Sequence, residues 1–248
     1  MRKLDNMPIF YQQHIDEDTR LGIWKIEEDE AFFRKKVQPQ RNVTHPHKNL
    51  QHLAGRYLLR FLFPDFPVEL IQIADTRKPF LEDEVFHFSI SHCGFYAAAI
   101  VSRTKRVGID AELFTDKVER IKHKFLTGTE MEMLRKNSEE PELEVSDVSH
   151  SGNLTTNDRT FRSKEIDGNF SSEISTSKLV AAWSCKESVF KWYGHGGVDF
   201  RNHIEIKTII PFDTNEFECI IAFKKNEELF LRLHSILFGE LCLSYVIT

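Results

Sequence analysis

Apolar residues recur at helical spacing in two separate stretches of the chain, and each stretch is followed by a series of strand-like runs. The first predicts an amphipathic helix over residues 49–63 that ends near Pro64, and the second predicts a helix over residues 179–193. Strands are expected after the first helix at about 68–74, 85–91, 95–102 and 107–112. After the second helix they are expected at 203–210, 216–224, 229–237 and 239–247.

One helix followed by four strands, twice, favours an α+β fold with two pseudo-symmetric lobes. Each lobe would be a helix packed on a small, mainly antiparallel sheet, with the active site in the cleft between the lobes. We expect an N-terminal lobe over residues 1–106 and a C-terminal lobe over 107–248. Strands at 8–13 and 21–26 and a helix at 28–36 precede the first repeat.

One segment, residues 137–178, does not fit this alternation. It is rich in Ser, Glu, Asp, Asn and Thr and lacks an apolar period, so it cannot bury enough surface to offset its chain entropy. We expect a mobile insertion there, with a short hairpin near 161–166. Just before it, Thr127 and Glu130 form a capping box that predicts a short helix through Arg135.

Composition narrows the class of protein. A net charge of −5 disfavours general nucleic-acid binding, which favours a basic chain. The four cysteines are far apart, which disfavours a zinc site or a disulfide framework. The chain shows neither the apolar core of a signal peptide nor a membrane-spanning run. We therefore expect a cytoplasmic protein with no membrane or nucleic-acid partner.

Two acidic residues, Asp110 and Glu112, stand in the apolar run Val107–Leu113. Alternate side chains in a strand share a face, so both acids point one way while Ile109 and Ala111 point the other. Two adjacent carboxylates repel each other unless a cation lies between them, and oxygen ligands suit Mg²⁺. The alternative is a solvated strand face at a sheet edge.

The second predicted helix carries Glu187 and Lys191 on one side, four residues apart, with Lys186 bordering that side. Trp183, Phe190 and Trp192 flank these charges and would partly bury them. The alternative is an ordinary exposed ion pair, worth about 0.3–0.5 kcal/mol.

Ser91, His92 and Gly94 follow the alternating residues Phe86, Phe88 and Ile90 at the end of a predicted strand. A hydroxyl, an imidazole and nearby free backbone suit a phosphate-binding corner. A core or capping histidine is the commoner explanation, and a Ser–His nucleophile pair is a further alternative.

Taken in order, these motifs resemble the 4′-phosphopantetheinyl transferases, in particular the larger two-lobed type that activates carrier proteins. The resemblance covers about residues 48–200 and depends on Lys78-Pro79, Ser89-Ile90-Ser91-His92, Gly108-Ile109-Asp110-Ala111-Glu112, and Trp183-Ser184-Cys185-Lys186-Glu187 with Lys191. It implies a Mg²⁺-dependent enzyme, with Mn²⁺ as an alternative, that uses coenzyme A as co-substrate. The phosphopantetheine arm would be transferred to a serine of an apo acyl or peptidyl carrier protein, releasing adenosine 3′,5′-bisphosphate.

The resemblance also implies roles for individual residues. Asp110, Glu112 and Glu187 would be the metal ligands, and Glu187 the general base, with Asp110 or a bound hydroxide as alternatives. Lys191 would contact the phosphates and Lys186 would line the same site. The remaining coenzyme A contacts would be Ser91 and His92 on the 3′-phosphate, Lys78 near the nucleotide end, and Lys48 and His52.

Two other functions remain open from the sequence. A Mg²⁺-dependent phosphohydrolase or nucleotidyl transferase would use the same acids and would cleave coenzyme A or nucleotides without a carrier. A non-catalytic coenzyme A-binding protein would be stabilised by the ligand but would transfer nothing. An internal lobe repeat predicts a monomer.

Overall fold

The computed structural model describes residues 9–38, 43–136 and 174–248. The helices in these ranges are α1 (Glu30–Arg34), α2 (Pro46–Leu62), α3 (Asp116–Phe125), α4 (Gly128–Lys136) and α5 (Thr176–Tyr193). The first strands are β1 (Ile9–His14), β2 (Thr19–Lys25), β3 (Gln72–Ile73), β4 (Pro79–Phe80), β5 (His87–Cys93) and β6 (Tyr96–Ser102). The others are β7 (Val107–Leu113), β8 (Ile204–Asp213), β9 (Glu216–Phe223), β10 (Leu229–Phe238) and β11 (Leu241–Ile247).

The described strands form three antiparallel sheets, so the expected α+β class agrees with the structure. The first sheet has the order β1-β2-β6-β5, and the second has the order β7-β11-β10-β9-β8. Strands β3 and β4 form a separate pair. All strands of the first sheet precede residue 103, and all strands of the second follow residue 106. The pseudo-symmetry of two lobes stays a prediction.

Side-chain alternation in the strands produces three layers of apolar packing. Leu53 and Leu58 of α2 pack on one face of the first sheet. The opposite face carries Ile23 and Ile100, which pack against Ile109 of the second sheet. Helix α5 packs on the far side of the second sheet. The order of layers is therefore helix, sheet, sheet, helix.

One strand prediction in the first half is wrong. Residues 68–74 form a short 3-10 helix, Val68–Leu70, followed by the two-residue strand β3. The strand predicted at 107–112 is confirmed as β7, and it pairs with β11 of the second sheet, where Asp110 lies opposite Ser244. The first sheet is completed by β1 and β2, which precede α2 in the chain.

The region around the predicted insertion is partly corrected. Helix α5 begins at Thr176 with Ser175 as its N-cap, and Ile174 is buried in the core, so residues 174–178 do not belong to an insertion. Residues 137–173, including the predicted hairpin, lie outside the described residues. The capping box is confirmed, because Thr127 N donates to Glu130 and Glu130 N donates to the Thr127 hydroxyl. None of the described helices is long and apolar enough to cross a membrane.

Helix α5 lies unusually close to β7 at Gly108. A Cβ atom on Gly108 would be 2.2 Å from the carbonyl oxygen of Ser188 and 2.7 Å from Cβ of Trp192. Both distances are shorter than van der Waals contact, so only glycine permits this approach. The single hydroxyl proton of Ser188 is shared between Ser184 O within α5, at 2.9 Å, and Ser244 O on β11, at 2.8 Å, which helps to hold the helix on the sheet.

Substitution of Gly108 by alanine should push α5 away from β7. We expect Gly108→Ala to lower the free energy of unfolding by about 1–3 kcal/mol or more, because the atom in the way is backbone. Urea unfolding followed by circular dichroism measures this change. Gly128→Ala is the matched control, since no atom of the described residues lies within 4 Å of its Cβ position, and it should not destabilise the protein. Equal stability of the two variants would contradict the close-packing argument.

Candidate active site

The predicted site residues on β5, on β7 and on one side of α5 meet where the two sheets adjoin. Strands β5 and β7 are edge strands of their respective sheets and lie side by side. The backbone N–H of Ile109 donates to the Ser89 hydroxyl at 3.2 Å, and the Ser91 hydroxyl donates to Asp110 Oδ1 at 2.8 Å. Helix α5 packs on β7 at this junction, so side chains from three elements converge there.

Asp110 is the centre of this group. Its side chain is buried, and Oδ1 accepts hydrogen bonds from Ser91 and from Lys191 Nζ at 2.6 Å. Lys191 Nζ also donates to the Ser91 hydroxyl at 2.8 Å. The second oxygen, Oδ2, is buried without a hydrogen-bond partner among the described residues. A buried carboxylate oxygen without a donor is costly, and such exceptions call for an explanation such as an ion.

Glu112 and Glu187 complete an acidic group around Asp110. Trp183 Nε1 donates to Glu112 Oε1 at 3.0 Å. Burial raises the pKa of Glu187 to about 7, and the charge of Asp110 adds to this effect. Burial, followed by the charge of Asp110, also raises the pKa of Glu112. The three carboxyl groups are therefore close enough to repel one another when ionised.

The two structural alternatives from the sequence are wrong at this site. The face of β7 that carries Asp110 is covered and is not a solvated strand face. Lys191 pairs with Asp110, and no ion pair joins it to Glu187 among the described residues. Sequence spacing along α5 identified the correct side of the helix, but the partner of Lys191 comes from another element.

Ser91 and His92 are separated by the geometry of β5. Successive residues of a strand point to opposite faces, and the Ser91 hydroxyl is buried between Asp110 and Lys191. His92 is exposed, although partial desolvation lowers its pKa and the nearby charges of Lys191 and Lys48 lower it further. A joint role of the two side chains on one phosphate is not supported. The arrangement also excludes the Ser–His nucleophile pair, because Ser91 donates to Asp110.

Lys48 and His52 lie on the first turns of α2. Lys48 is exposed and acts electrostatically on His92, so it borders the same entrance. The imidazole Nδ1 of His52 lies 3.0 Å from Arg56, a neighbour on the helix. No contact links His52 to the carboxylates in the described residues, and its role in binding stays a prediction.

Lys186 is not part of the site, and its predicted position is wrong. Its side chain is fully buried on another side of α5, where Nζ contacts Glu130 at 2.7 Å. The ammonium also donates to the carbonyl oxygens of Phe125 and Phe200. Since all of its protons are engaged by protein groups, Lys186 is not free to contact phosphates. It joins α5 to α4 through Glu130.

A cavity of about 220 Å³ opens beside Lys191. Phe88 and Ile90 of β5 line one side, and Phe190 and Lys191 of α5 line another. Lys78 also lines it, and burial together with the charge of Arg106 lowers the pKa of Lys78 to about 8. The sequence did not indicate these apolar walls, because alternating apolar residues in a strand have the same pattern whether they line a cavity or pack in the core.

Arg106 was also missed, although it directly precedes the acidic strand. Its guanidinium donates to the carbonyl oxygens of Trp192 and Tyr193 at the end of α5 and lies 4.8 Å over the Trp192 ring. A cation beside the last carbonyls of a helix is favourable. The only available signal was its position next to β7.

The donor chemistry of the site fits a divalent cation, but the arrangement as it stands is incomplete. Asp110, Glu112 and Glu187 supply oxygen ligands of the kind that Mg²⁺ prefers, and Asp110 Oδ2 lacks a partner among the described residues. However, no three His, Cys, Asp or Glu side chains in the described ranges are grouped closely enough to hold a metal ion. The ammonium of Lys191 lies against Asp110 in this arrangement.

No family model and no curated protein matches this chain. The function is therefore inferred from the residues and their geometry, together with the resemblance of the motifs.

The raised pKa of Glu187 predicts a pH-dependent stability. Between its ordinary pKa of 4.5 and about 7, the folded state retains a proton that the unfolded chain loses. Stability from this group is thus present at low pH and is lost as the pH rises through this range. We expect Glu187→Gln to be more stable than the wild type at pH 8 by about 1–2 kcal/mol, allowing for solvent screening.

Denaturant unfolding at pH 4.5 and pH 8 tests this expectation. The control is Glu132→Gln, an exposed residue whose pKa is lowered by Lys136 and which should show no such gain. A Glu187→Gln gain that is the same at both pH values would mean that ionisation is not its cause.

Proposed function

We propose that this protein transfers the 4′-phosphopantetheine arm of coenzyme A to a serine of an apo acyl or peptidyl carrier protein, using Mg²⁺ or Mn²⁺. It would act as a cytoplasmic monomer whose two lobes share the catalytic cleft. The observation that carries this proposal is the buried carboxylate of Asp110, bridged by Ser91 of one sheet and Lys191 of α5 beside an open cavity. The order of the resembling motifs supports the same conclusion.

The cavity beside Lys191 supports a nucleotide ligand. Its volume suits one nucleobase and not the whole of coenzyme A, and its walls combine Phe88 and Phe190 with two lysines. A base would lie against the aromatic side chains, with its phosphates toward Lys191 and the exposed His92. Lys78 would lie at the nucleotide end, as the motif implies.

The charged residues would divide the chemistry among them. A divalent cation held by Asp110, Glu112 and Glu187 would neutralise charge on the diphosphate. Lys191 would stabilise charge that develops on the leaving bisphosphate. We assign the general base to Glu187, because it projects from α5 beside Asp110 and can face the incoming serine. Asp110 suits that role less well, because Oδ1 is already held by Lys191 and Ser91.

Transfer of the arm can be tested directly by mass spectrometry. We expect the protein, coenzyme A and Mg²⁺ to add the mass of one phosphopantetheine arm to at least one member of a panel of apo carrier proteins. Asp110→Asn should abolish this addition, whereas loss of the base in Glu187→Gln should slow it by about 10²–10⁴-fold. Lys117→Met, an exposed residue on α3, is the control and should retain transfer.

Two outcomes would sink the proposal. Cleavage of coenzyme A in the absence of any carrier would favour a phosphohydrolase. Thermal stabilisation by coenzyme A with no transfer to any carrier would favour a non-catalytic binding protein.

The Asp110–Lys191 ion pair further predicts competition between Lys191 and a divalent cation. A cation that binds Asp110 has to offset the loss of this pair, so Lys191→Met should bind Mg²⁺ roughly tenfold more tightly in the absence of coenzyme A. The indole N–H of Trp183 reports on Glu112 and gives a separate signal in ¹⁵N–¹H spectra from those of Trp24 and Trp192, which donate to Glu28 and Thr248. Titration with Mg²⁺ should shift the Trp183 signal.

Lys117→Met is again the matched control, because Lys117 acts electrostatically on Glu112 without contacting Asp110. Its effect should be smaller than that of Lys191→Met. If Lys191→Met binds Mg²⁺ no more tightly than the wild type, the predicted competition between Lys191 and the cation for Asp110 is wrong. If neither protein shows a Trp183 shift, the metal role of the carboxylates is wrong.

A further inference from the structure

A second and larger cavity, of about 450 Å³, lies next to the first and has different chemistry. It is bounded by the β4 end of the β3–β4 pair, the segment that follows it, the first residues of β5 and β7, and the C-terminal end of α5. None of Asp110, Glu112 and Glu187 lines it. The two cavities share Lys78, Pro79, Phe88 and Gly194 as a common wall.

One side of this cavity is apolar and aromatic. Phe80, Leu81, Phe86 and Phe88 lie on it. Phe80 is partly exposed, whereas Phe86 and Phe88 are buried, so the apolar wall runs from the surface into the interior. Such a wall suits a planar or short aliphatic group.

The other side of the cavity is cationic. Arg106 donates to the carbonyl oxygens of Trp192 and Tyr193, and its NH2 lies 3.2 Å from Nε2 of His195. The two carbonyl oxygens carry no net charge, so they do not neutralise the guanidinium. Among the described residues that line the cavity, Glu84 is the one acid, and it acts on Arg106 electrostatically.

Lys78 stands beside Arg106 without a counter-ion. Its Nζ makes only a long contact of 3.4 Å with Trp192 O, and no ion pair involving Lys78 occurs among the described residues. Burial and the charge of Arg106 both disfavour its protonated form. An anion in the cavity would offset the repulsion between Lys78 and Arg106. It would also replace the water that the Lys78 ammonium has lost on burial.

We propose that this cavity binds a small organic anion, a phosphate or carboxylate carried on an aromatic or short aliphatic group. The charged group would lie between Lys78 and Arg106, and the apolar group against Phe80 and Phe86. This site is separate from the carboxylates around Asp110, and it does not depend on the proposed transfer reaction. Because Lys78 lines both cavities, an occupant of one would affect binding in the other.

Phenyl phosphate and benzoate are suitable probes, with phenol as the uncharged comparison. Calorimetry without coenzyme A or divalent metal should show saturable binding of at least one anion and none of phenol. The tighter of the two anions identifies the class of the charged group. Binding should weaken at least tenfold in Lys78→Met and remain unchanged in Lys105→Met, which removes a surface lysine paired with Asp16.

Spectra of the same samples locate the bound anion. The Trp192 indole N–H should shift, since Arg106 lies over that ring, while the Trp183 signal should stay in place. Unshifted signals in unliganded Lys78→Met show that this variant is folded. Phe80→Ala should weaken the binding of phenyl phosphate but not the binding of inorganic phosphate.

Three results would overturn the proposal. The first is no saturable binding of either anion to the wild type. The second is a folded Lys78→Met protein that binds the anion with the same affinity as the wild type. The third is a shift of Trp183 in place of Trp192, which would put the anion at the carboxylates.

Discussion

The approach of α5 to β7 at Gly108 is the contact on which the charged site depends. With no side chain at Gly108, the Ser188 carbonyl and the Trp192 side chain rest directly on the strand. Asp110 stands two residues further along β7, and Lys191 projects from the turn of α5 next to Ser188. The Lys191 ammonium therefore lies 2.6 Å from Asp110 Oδ1, although β7 and α5 are far apart in the chain. A wider spacing would separate this ion pair.

Two ion pairs on α5 differ in how completely their hydrogen-bonding groups are satisfied. Lys186 and Glu130 satisfy each other and the surrounding backbone, since Glu130 also accepts from Thr127 N and Ile206 N. At Asp110 one oxygen is left without a donor in the described structure, and burial, followed by the charge of Asp110, raises the pKa of Glu187. An unpaired buried oxygen and a perturbed pKa both lower the stability of the folded state, and such features are typical of ligand-binding sites.

Local patterns predicted much of this arrangement, and long-range partners accounted for the errors. Alternation in β7 correctly placed Asp110 and Glu112 on one face, with Ile109 in the core. Helical spacing correctly separated Cys185 and Val189 from the charged side of α5. Helical spacing could not identify Glu130 as the partner of Lys186, because it gives the direction of a side chain around the helix axis but not the residues that it contacts. Nor could it show that β7 pairs with β11, more than 100 residues away.

The Glu130–Lys186 pair has a consequence for the chain between α4 and α5. The helices α4 and α5 are separated by 39 residues of sequence between their facing ends, Lys136 and Thr176, yet this pair joins them directly. Additions, deletions or exchanges in that connection would thus leave the register of α5 on its sheet unaltered. The carboxyl groups around Asp110 would keep their places on β7 and α5.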